Sequence, residues 1–312
     1  MLLFFSPIII ILLIAFSLFI IILIISSFEL KSYKISEFHI KNTKNDKKLK
    51  LVFLSDFHNK CYKNDNEKLI CDIVDTNPDY IMLGGDFIVY SMFEKIFDKI
   101  EVENAIKFIS KLGKKISENR EKENYNLKRI FFSYGNHELR FRKVDKDSKL
   151  WKEYNSFIKA LKERDIEIID NELVSLDDYI TISGLSLYDG YYANVFSSKK
   201  YFPHIERYEL DKCFKNIDKK KFNIIMFHKP DYAEDLVEYG FDLVLSGHNH
   251  GGLVNFPFIG VIFSPEFRLF PKYNKGIYDV GGRKVIVTSG IGEHMVKIRV
   301  NNRPEICVIN IE

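Results

Sequence analysis

Charge is absent from the first 28 residues: Met1 to Phe28 is an apolar run interrupted only by Ser6, Pro7, Ser17, Ser26 and Ser27. No basic residue precedes the run and no small-x-small site follows it, which argues against a cleaved signal peptide. An apolar helix of about 24 residues spans roughly 36 Å, enough for a hydrocarbon core of about 30 Å with some tilt, so the expectation is an uncleaved membrane anchor. Cysteine is scarce. Cys61, Cys71, Cys213 and Cys307 contain no C-x-x-C pair, so neither a disulfide framework nor a zinc ribbon is indicated, and isolated thiols suit a reducing compartment. A concentrated basic face is lacking too. The lysine excess lies in Lys31 to Lys50, seven lysines against Glu37 and Asp46, and the rest of the chain is close to neutral, which argues against nucleic acid as a partner.

That basic stretch reads as a solvated juxtamembrane linker beside anionic headgroups. Lysines so close to the end of the apolar run favour a single-pass protein of the cell membrane with its large domain on the cytoplasmic side. No repeat, low-complexity tract or internal linker follows. The expected organisation is an anchor over residues 1–28, a linker over 29–50 and one soluble domain over 51–312.

Within the domain, short apolar runs alternate with amphipathic stretches, the pattern of an α/β fold. Strands are expected at Lys50–Ser55, Tyr80–Leu83, Arg129–Ser133, Glu167–Ile169, Leu173–Ser175, Tyr179–Ser183, Asn223–Phe227, Asp242–Leu245 and Glu305–Ile311. Helices are expected at Asn66–Asp75, Ser91–Leu112 and Lys149–Glu163, with a charged loop at Lys114–Lys128. Gly281-Gly282 between two apolar runs signals a hairpin.

Polar residues able to bind metal or phosphate follow the buried strands at once. They are Asp56-Phe57-His58, Gly84-Gly85-Asp86, Gly135-Asn136-His137-Glu138, His228 and Gly247-His248-Asn249-His250. In open α/β sheets the carboxyl ends of strands meet in one crevice, so clusters far apart in sequence converge. Five of the eight histidines lie here, four of them beside Asn or Gly. A lone histidine after a strand is usually a satisfied loop residue; five together are not independent accidents. The D-x-H and H-x-H spacings place alternate side chains on one side of an extended backbone, so both members reach one site.

In this order, D-x-H, G-D, G-N-H-E, H and G-H-x-H resemble the calcineurin-like metallophosphoesterase superfamily over essentially all of Leu51 to Glu312. Gly84-Gly85-Asp86-Phe87, His248-Asn249-His250-Gly251-Gly252 and Asn302-Arg303-Pro304-Glu305 are similar to its bacterial membrane-associated branch. The resemblance implies a four-layer α/β/β/α sandwich with a dinuclear centre at the strand ends. Asp56, His58, Asp86 and His250 would hold one divalent metal ion, with Asp86 bridging to a second held by Asn136, His228 and His248. His137 would contact the phosphate and protonate the leaving oxygen, and Glu138 would orient His137. Two departures stand out: Leu253 replaces a Gln of many relatives, and Phe87-Ile88-Val89-Tyr90 lacks an Asp that several members place there.

Two divalent cations about 4 Å apart lower the pKa of a shared water, clamp phosphate oxygens and stabilise attacking and leaving atoms. The mixed carboxylate, imidazole and amide set suits Mn, Fe, Zn or Co. The expected activity is phosphodiester or pyrophosphate hydrolysis by in-line attack of hydroxide. Aromatic and apolar residues in Tyr188–Phe202 and Val254–Phe270 are read either as core packing or as a lipid-facing rim, the latter implying a lipid-linked or cell-envelope substrate. Relatives that cleave UDP-2,3-diacylglucosamine make one such option concrete. The alternatives are a metal-bound scaffold without turnover and a phosphodiesterase of soluble substrates.

Overall fold

The computed structural model describes residues 7–91, 99–192, 202–215, 217–256, 260–264, 268–293 and 296–312. It opens with α1 (Pro7–Leu30), an apolar helix whose large side chains stand exposed; Ile9–Leu30 is long and apolar enough to cross a membrane. The first half of the domain then runs β1 (Lys34–Ile40), β2 (Leu49–Leu54), α2 (Glu67–Asp75), β3 (Tyr80–Leu83), β4 (Val89–Ser91), β5 (Lys99–Glu101), α3 (Glu103–Arg120), β6 (Arg129–Phe132), α4 (Asn136–Leu139), α5 (Lys149–Lys162) and β7 (Ile166–Ile168). The second half runs β8 (Glu172–Ser175), β9 (Ile180–Gly184), α6 (Arg207–Cys213), β10 (Phe222–Met226), α7 (Ala233–Tyr239), β11 (Leu243–Ser246), β12 (Asn255–Phe256), β13 (Gly260–Val261), β14 (Gly276–Val280), β15 (Arg283–Val287) and β16 (Glu305–Ile311).

Two six-stranded sheets form, in the orders β1-β16-β2-β3-β6-β7 and β14-β15-β11-β10-β9-β8. The central strands of each are parallel, β2 with β3 and β6, and β10 with β9 and β11. Such strands are covered on both faces, which is why β3 reads as an unbroken apolar run and β2, β10 and β11 as nearly continuous ones rather than alternations. Leu51, Phe53, Met82 and Phe131 of one sheet meet Ile182, Ile224, Met226 and Leu245 of the other. On the outer face of the first sheet, Val52, Leu54, Ile81 and Phe132 pack with Leu69, Ile73, Phe108, Leu112 and Phe157 of α2, α3 and α5. On the other outer face, Ile225, Val244 and Val285 pack with Leu210, Leu236 and Val237 of α6 and α7. The four layers expected from the motifs are therefore present.

The structure corrects two expectations. Residues 29–50 are not a solvated linker: Lys34–Ile40 pairs in parallel register with Glu305–Ile311 along its whole length and forms the edge of the first sheet. Phe38 and Ile40 point at the inter-sheet core while Lys34, Glu37 and His39 stay exposed, an alternation that the lysine-rich composition conceals. The long helix expected over Ser91–Leu112 is instead the β4–β5 pair followed by α3, with residues 92–98 outside those described; α3 runs on to Arg120, into the stretch expected as a loop. Its apolar face, Ala105, Phe108, Ile109, Leu112 and Ile116, carries the helix through the charged segment.

Replacing Phe38 and Ile40 together by Ala in the full chain removes two apolar side chains from the inter-sheet core. It is expected to destabilise the domain by about 3 kcal/mol and lower its melting temperature by roughly 6–12 °C. An unchanged thermal unfolding midpoint by circular dichroism would restore the linker reading.

Candidate metal centre

The parallel strands of both sheets deliver their carboxyl ends to one crevice. β2 leads to Asp56 and His58, β3 to Asp86, β6 to Asn136 and His137, β10 to His228, and β11 to His248 and His250. All seven residues expected as metal ligands meet there, with His137 beside them. Asp56, His58 and His250 form one group of mutually close ligand atoms, His58, Asp86 and His137 a second, and Asp86, His228 and His248 a third. Asn136 joins the third through its Oδ1, 2.9 Å from His248 Nδ1.

The convergence does not come from extended backbone, as the D-x-H and H-x-H spacings were taken to mean. Asp56, His58, Asp86, His248 and His250 all have left-handed φ, between 45° and 67°. Each such non-glycine residue costs of order 1 kcal/mol or more and persists only where its surroundings over-determine it, a signature concentrated at functional sites. Gly85 is one such surrounding constraint. A Cβ on it would lie 2.1 Å from the Gly135 amide nitrogen, so the loops bearing Asp86 and Asn136 touch only because residue 85 has no side chain.

Glu138 does a different job from the one expected. It is buried and makes no hydrogen bond to His137. Its Oε2 accepts from the amides of Asp86 and Gly135, at 2.8 and 2.9 Å, and its Oε1 from those of Phe87 and Ile88, at 2.8 and 3.2 Å. One carboxylate thus clamps the two loops through their backbone. Burial, with the Asp86 charge behind it, lifts this carboxyl to about 7 against the pull of the Asp86, Ile88 and Gly135 amides.

Two histidines present opposite faces of the same chemistry. His228 Nδ1 lies 2.9 Å from the Gly84 carbonyl and donates to it, so in the neutral ring Nε2 is a lone pair. That Nε2 is buried without a hydrogen-bond partner, yet it is 3.0 Å from Asp86 Oδ2 and 3.6 Å from Asp56 Oδ1. Lone pair facing carboxylate is stable only with positive charge between or upon them. His137 is the reverse: its Nδ1 accepts the Tyr90 N–H at 2.9 Å, leaving Nε2–H aimed at Asp86 Oδ2, 3.9 Å away. Of the two rings, His228 is arranged as a ligand and His137 as a donor.

Asp56 and Asp86 are 0% and 2% exposed, and among the described residues every ion-pair partner of either is a histidine. Burial raises the Asp56 carboxyl above the ordinary range, and the Asp86 charge adds to it. Burial penalises Asp86 as well, but His228 and His137 overcome it and hold Asp86 well below that range. For His228, burial favours the neutral ring, yet Asp86 and Asp56 lift it to about 10. A proton on His228 therefore stands where a cation would. The orphaned lone pair, the facing carboxylates and the imidazole and amide donors fit divalent metal ions of the Mn, Fe, Zn or Co type.

One neighbour comes from Tyr188–Phe202, a stretch that the sequence marks only as core packing or a lipid-facing rim. The Tyr192 hydroxyl is buried without a hydrogen-bond partner, and its ring lies 5.8 Å from that of His248 and 6.4 Å from that of His228. No motif marks Tyr192, because it reaches the site from the loop after β9 and not from a strand end.

The family model described as calcineurin-like phosphoesterase matches residues 49–252. The Bacillus subtilis protein named uncharacterized metallophosphoesterase YkuE is 35% identical over 91 residues, 29% of this chain and 31% of that one. A Campylobacter jejuni metallophosphoesterase, Cj0846, is 28% identical over 288 residues, 91% of this chain and 63% of that one. UDP-2,3-diacylglucosamine pyrophosphatase LpxG of Chlamydia muridarum is 29% identical over 149 residues, 46% of this chain and 40% of that one. The chain spans less than two thirds of the length of each of these curated relatives.

Two outcomes are expected of this geometry. Glu138→Gln turns an amide NH2 toward backbone N–H groups and is expected to destabilise the protein by about 3 kcal/mol in chemical denaturation; a loss under about 0.5 kcal/mol would deny the clamp. Metal entry must displace the proton that His228 keeps up to about pH 10, so affinity rises with pH below that value. Manganese titrations between pH 6.5 and 8.5 are expected to show about a tenfold gain in affinity per pH unit for one displaced proton, and a flat profile would contradict the arrangement.

Proposed function

Since this chain belongs to the calcineurin-like phosphoesterase family, we propose that it is a metal-dependent phosphoester hydrolase, a phosphodiesterase or pyrophosphatase, with two divalent ions at this centre. The observation that carries the reading is the pair of buried aspartates whose ion-pair partners are histidines, one of them with an orphaned lone pair. Asp56, His58, Asp86 and His250 would hold one ion and Asp86, Asn136, His228 and His248 the other. Bound there, such ions supply Lewis-acid polarisation of phosphoryl oxygens and a low-pKa water.

The protein's own residues do the rest. Gly84 keeps the His228 proton on Nδ1, so Nε2 stays available as a ligand. Tyr90 keeps the His137 proton on Nε2, where it meets the phosphate and stabilises charge developing on the leaving oxygen. Glu138 holds both loops at the spacing this requires.

The proposed substrate is a phosphodiester or pyrophosphate on a lipid or cell-envelope precursor. Support comes from α1, which would place the site at a bilayer, and from exposed Tyr188, Phe263, Leu269 and Phe270, which border the two apolar loops; residues 193–201, 257–259 and 265–267 of those loops lie outside the described residues. The named LpxG relative acts on a diacylated sugar nucleotide, the same chemical class. Lysines after α1 favour the cytoplasmic face for the domain.

Full-length protein in detergent with manganese is expected to hydrolyse a generic diester, with Asp86→Ala and His250→Ala at least about 10³-fold slower. His137→Ala is expected to lower kcat by about 10²-fold or more with a smaller change in KM. Absence of turnover in wild type with metal bound would leave the scaffold reading. Equal rates on short soluble and on lipid-linked diesters would remove the lipid assignment alone.

A further inference from the structure

The stretch after residue 298 is unusual for a loop. Arg299 is 3% and Asn302 0% exposed, although both are strongly polar and lie far in sequence from the strand ends that bear the ligands. Their hydrogen bonds run in two directions. Toward the site, Asn302 Nδ2 donates to the carbonyls of His250 and Gly252, both at 2.6 Å. The Arg299 guanidinium donates to the carbonyls of Ser289 at 2.8 Å, of Gly292 and Asn302 at 3.0 Å and of His250 at 3.4 Å, and its Nη2 lies 3.4 Å from His250 Nδ1. Toward the other side, the Arg299 amide donates to Ser26 Oγ and the Asn302 amide to Glu29 Oε2, each at 2.9 Å. Ser26 and Glu29 belong to the last two turns of α1.

Gly251 shows how tightly the piece is fitted. It has φ +65°, and a Cβ there would lie 2.3 Å from Asn302 Oδ1. The glycine after His250 is thus required by Asn302, and the Asn-Arg-Pro-Glu sequence at 302–305 gains a physical role that the hydrolytic chemistry leaves unassigned. Lys60, two residues after His58, also donates to the Leu30 carbonyl at 2.9 Å. The end of α1 therefore touches the loop that carries Asp56 and His58 directly and reaches the His250 loop through Arg299 and Asn302.

We propose that residues 299–302 form a strut that positions His250 for metal binding by bracing its loop against the end of α1, so that the anchor helix is part of the metal centre and not merely a tether. The strut rests on the reading of His250 as a ligand. Arg299 and Asn302 act through backbone carbonyls and are positioning residues. Loss of such outer contacts typically weakens a metal site by about 10- to 100-fold.

The test is manganese titration of the full chain in detergent, with free ion followed by electron paramagnetic resonance. His250→Ala is expected to lose one of two ions, and retention of both would overturn the ligand reading itself. Asn302→Ala and Arg299→Ala are expected to weaken that same ion about tenfold or more, with partial recovery in Arg299→Lys. The double variant Ser26→Ala, Glu29→Ala changes only the helix and is expected to weaken it several-fold. Tyr33→Phe removes the hydrogen bond from Tyr33 to Asp72 just beyond the helix and serves as the stability-matched control, with both affinities expected to be unchanged. Wild-type affinities in the helix double variant and in Asn302→Ala, with His250→Ala still defective, would overturn the strut. An equal loss in Tyr33→Phe would do so as well, by reducing the effect to general destabilisation.

Discussion

Two buried carboxylates whose ion-pair partners, among the described residues, are all histidines are the constraint around which the rest of this domain is organised. Taking an unpaired carboxylate out of water is prohibitively costly, so such a group is neutralised, paired or bound to a cation. Asp56 and Asp86 are surrounded instead by His58, His137, His228 and His250, whose charge is conditional. A protein that needed only stability would use an arginine or an apolar side chain here. On His228 the compensating charge is exchangeable: Asp86 and Asp56 favour a proton there, which a bound divalent ion would replace. The parallel strands, the left-handed ligand residues and the Glu138 clamp all follow from holding these groups within a few ångströms of one another.

Identical side chains do different work in this centre because of what the backbone offers their far nitrogen. A carbonyl, that of Gly84, makes His228 an acceptor toward the site; an amide, that of Tyr90, makes His137 a donor. No substitution matrix or spacing rule distinguishes the two cases. The distinction lies in where β3 ends and how its following loop turns, and Glu138 fixes that loop through the amides of Asp86, Phe87 and Ile88. A carboxylate that never faces the crevice thereby influences the proton position on a ring that does.

The order and type of the site residues were legible in the sequence for a physical reason: metal ligation demands particular atoms, and strand ends in an α/β sheet have one place to meet. Asp56, His58, Asp86, Asn136, His228, His248 and His250 could be read on those terms, as could the α/β class, whereas the four layers are what the family resemblance implies. What escaped reading depends on backbone atoms. The left-handed conformations, the Glu138 clamp and the Arg299–Asn302 strut are made with amides and carbonyls, which every residue possesses. β1 escaped for another reason. Its Phe38 and Ile40 alternate correctly, but edge strands carry charge on the open side, and seven lysines nearby gave the segment the composition of a linker.

The position of β1 also changes what α1 could do as an anchor. A flexible tether would let the domain sample many orientations, and its benefit would be limited to effective concentration. Here α1 ends at Leu30 and β1 begins at Lys34, and in the last turns of α1 Ser26, Glu29 and the Leu30 carbonyl accept hydrogen bonds from the domain. Three residues leave little freedom for reorientation. With α1 in a bilayer, the crevice would be held at a set height and tilt, and a substrate would have to present its phosphate there. Selectivity among phosphoesters would then arise partly from geometry outside the metal centre, through the distance between a lipid's acyl chains and its phosphate.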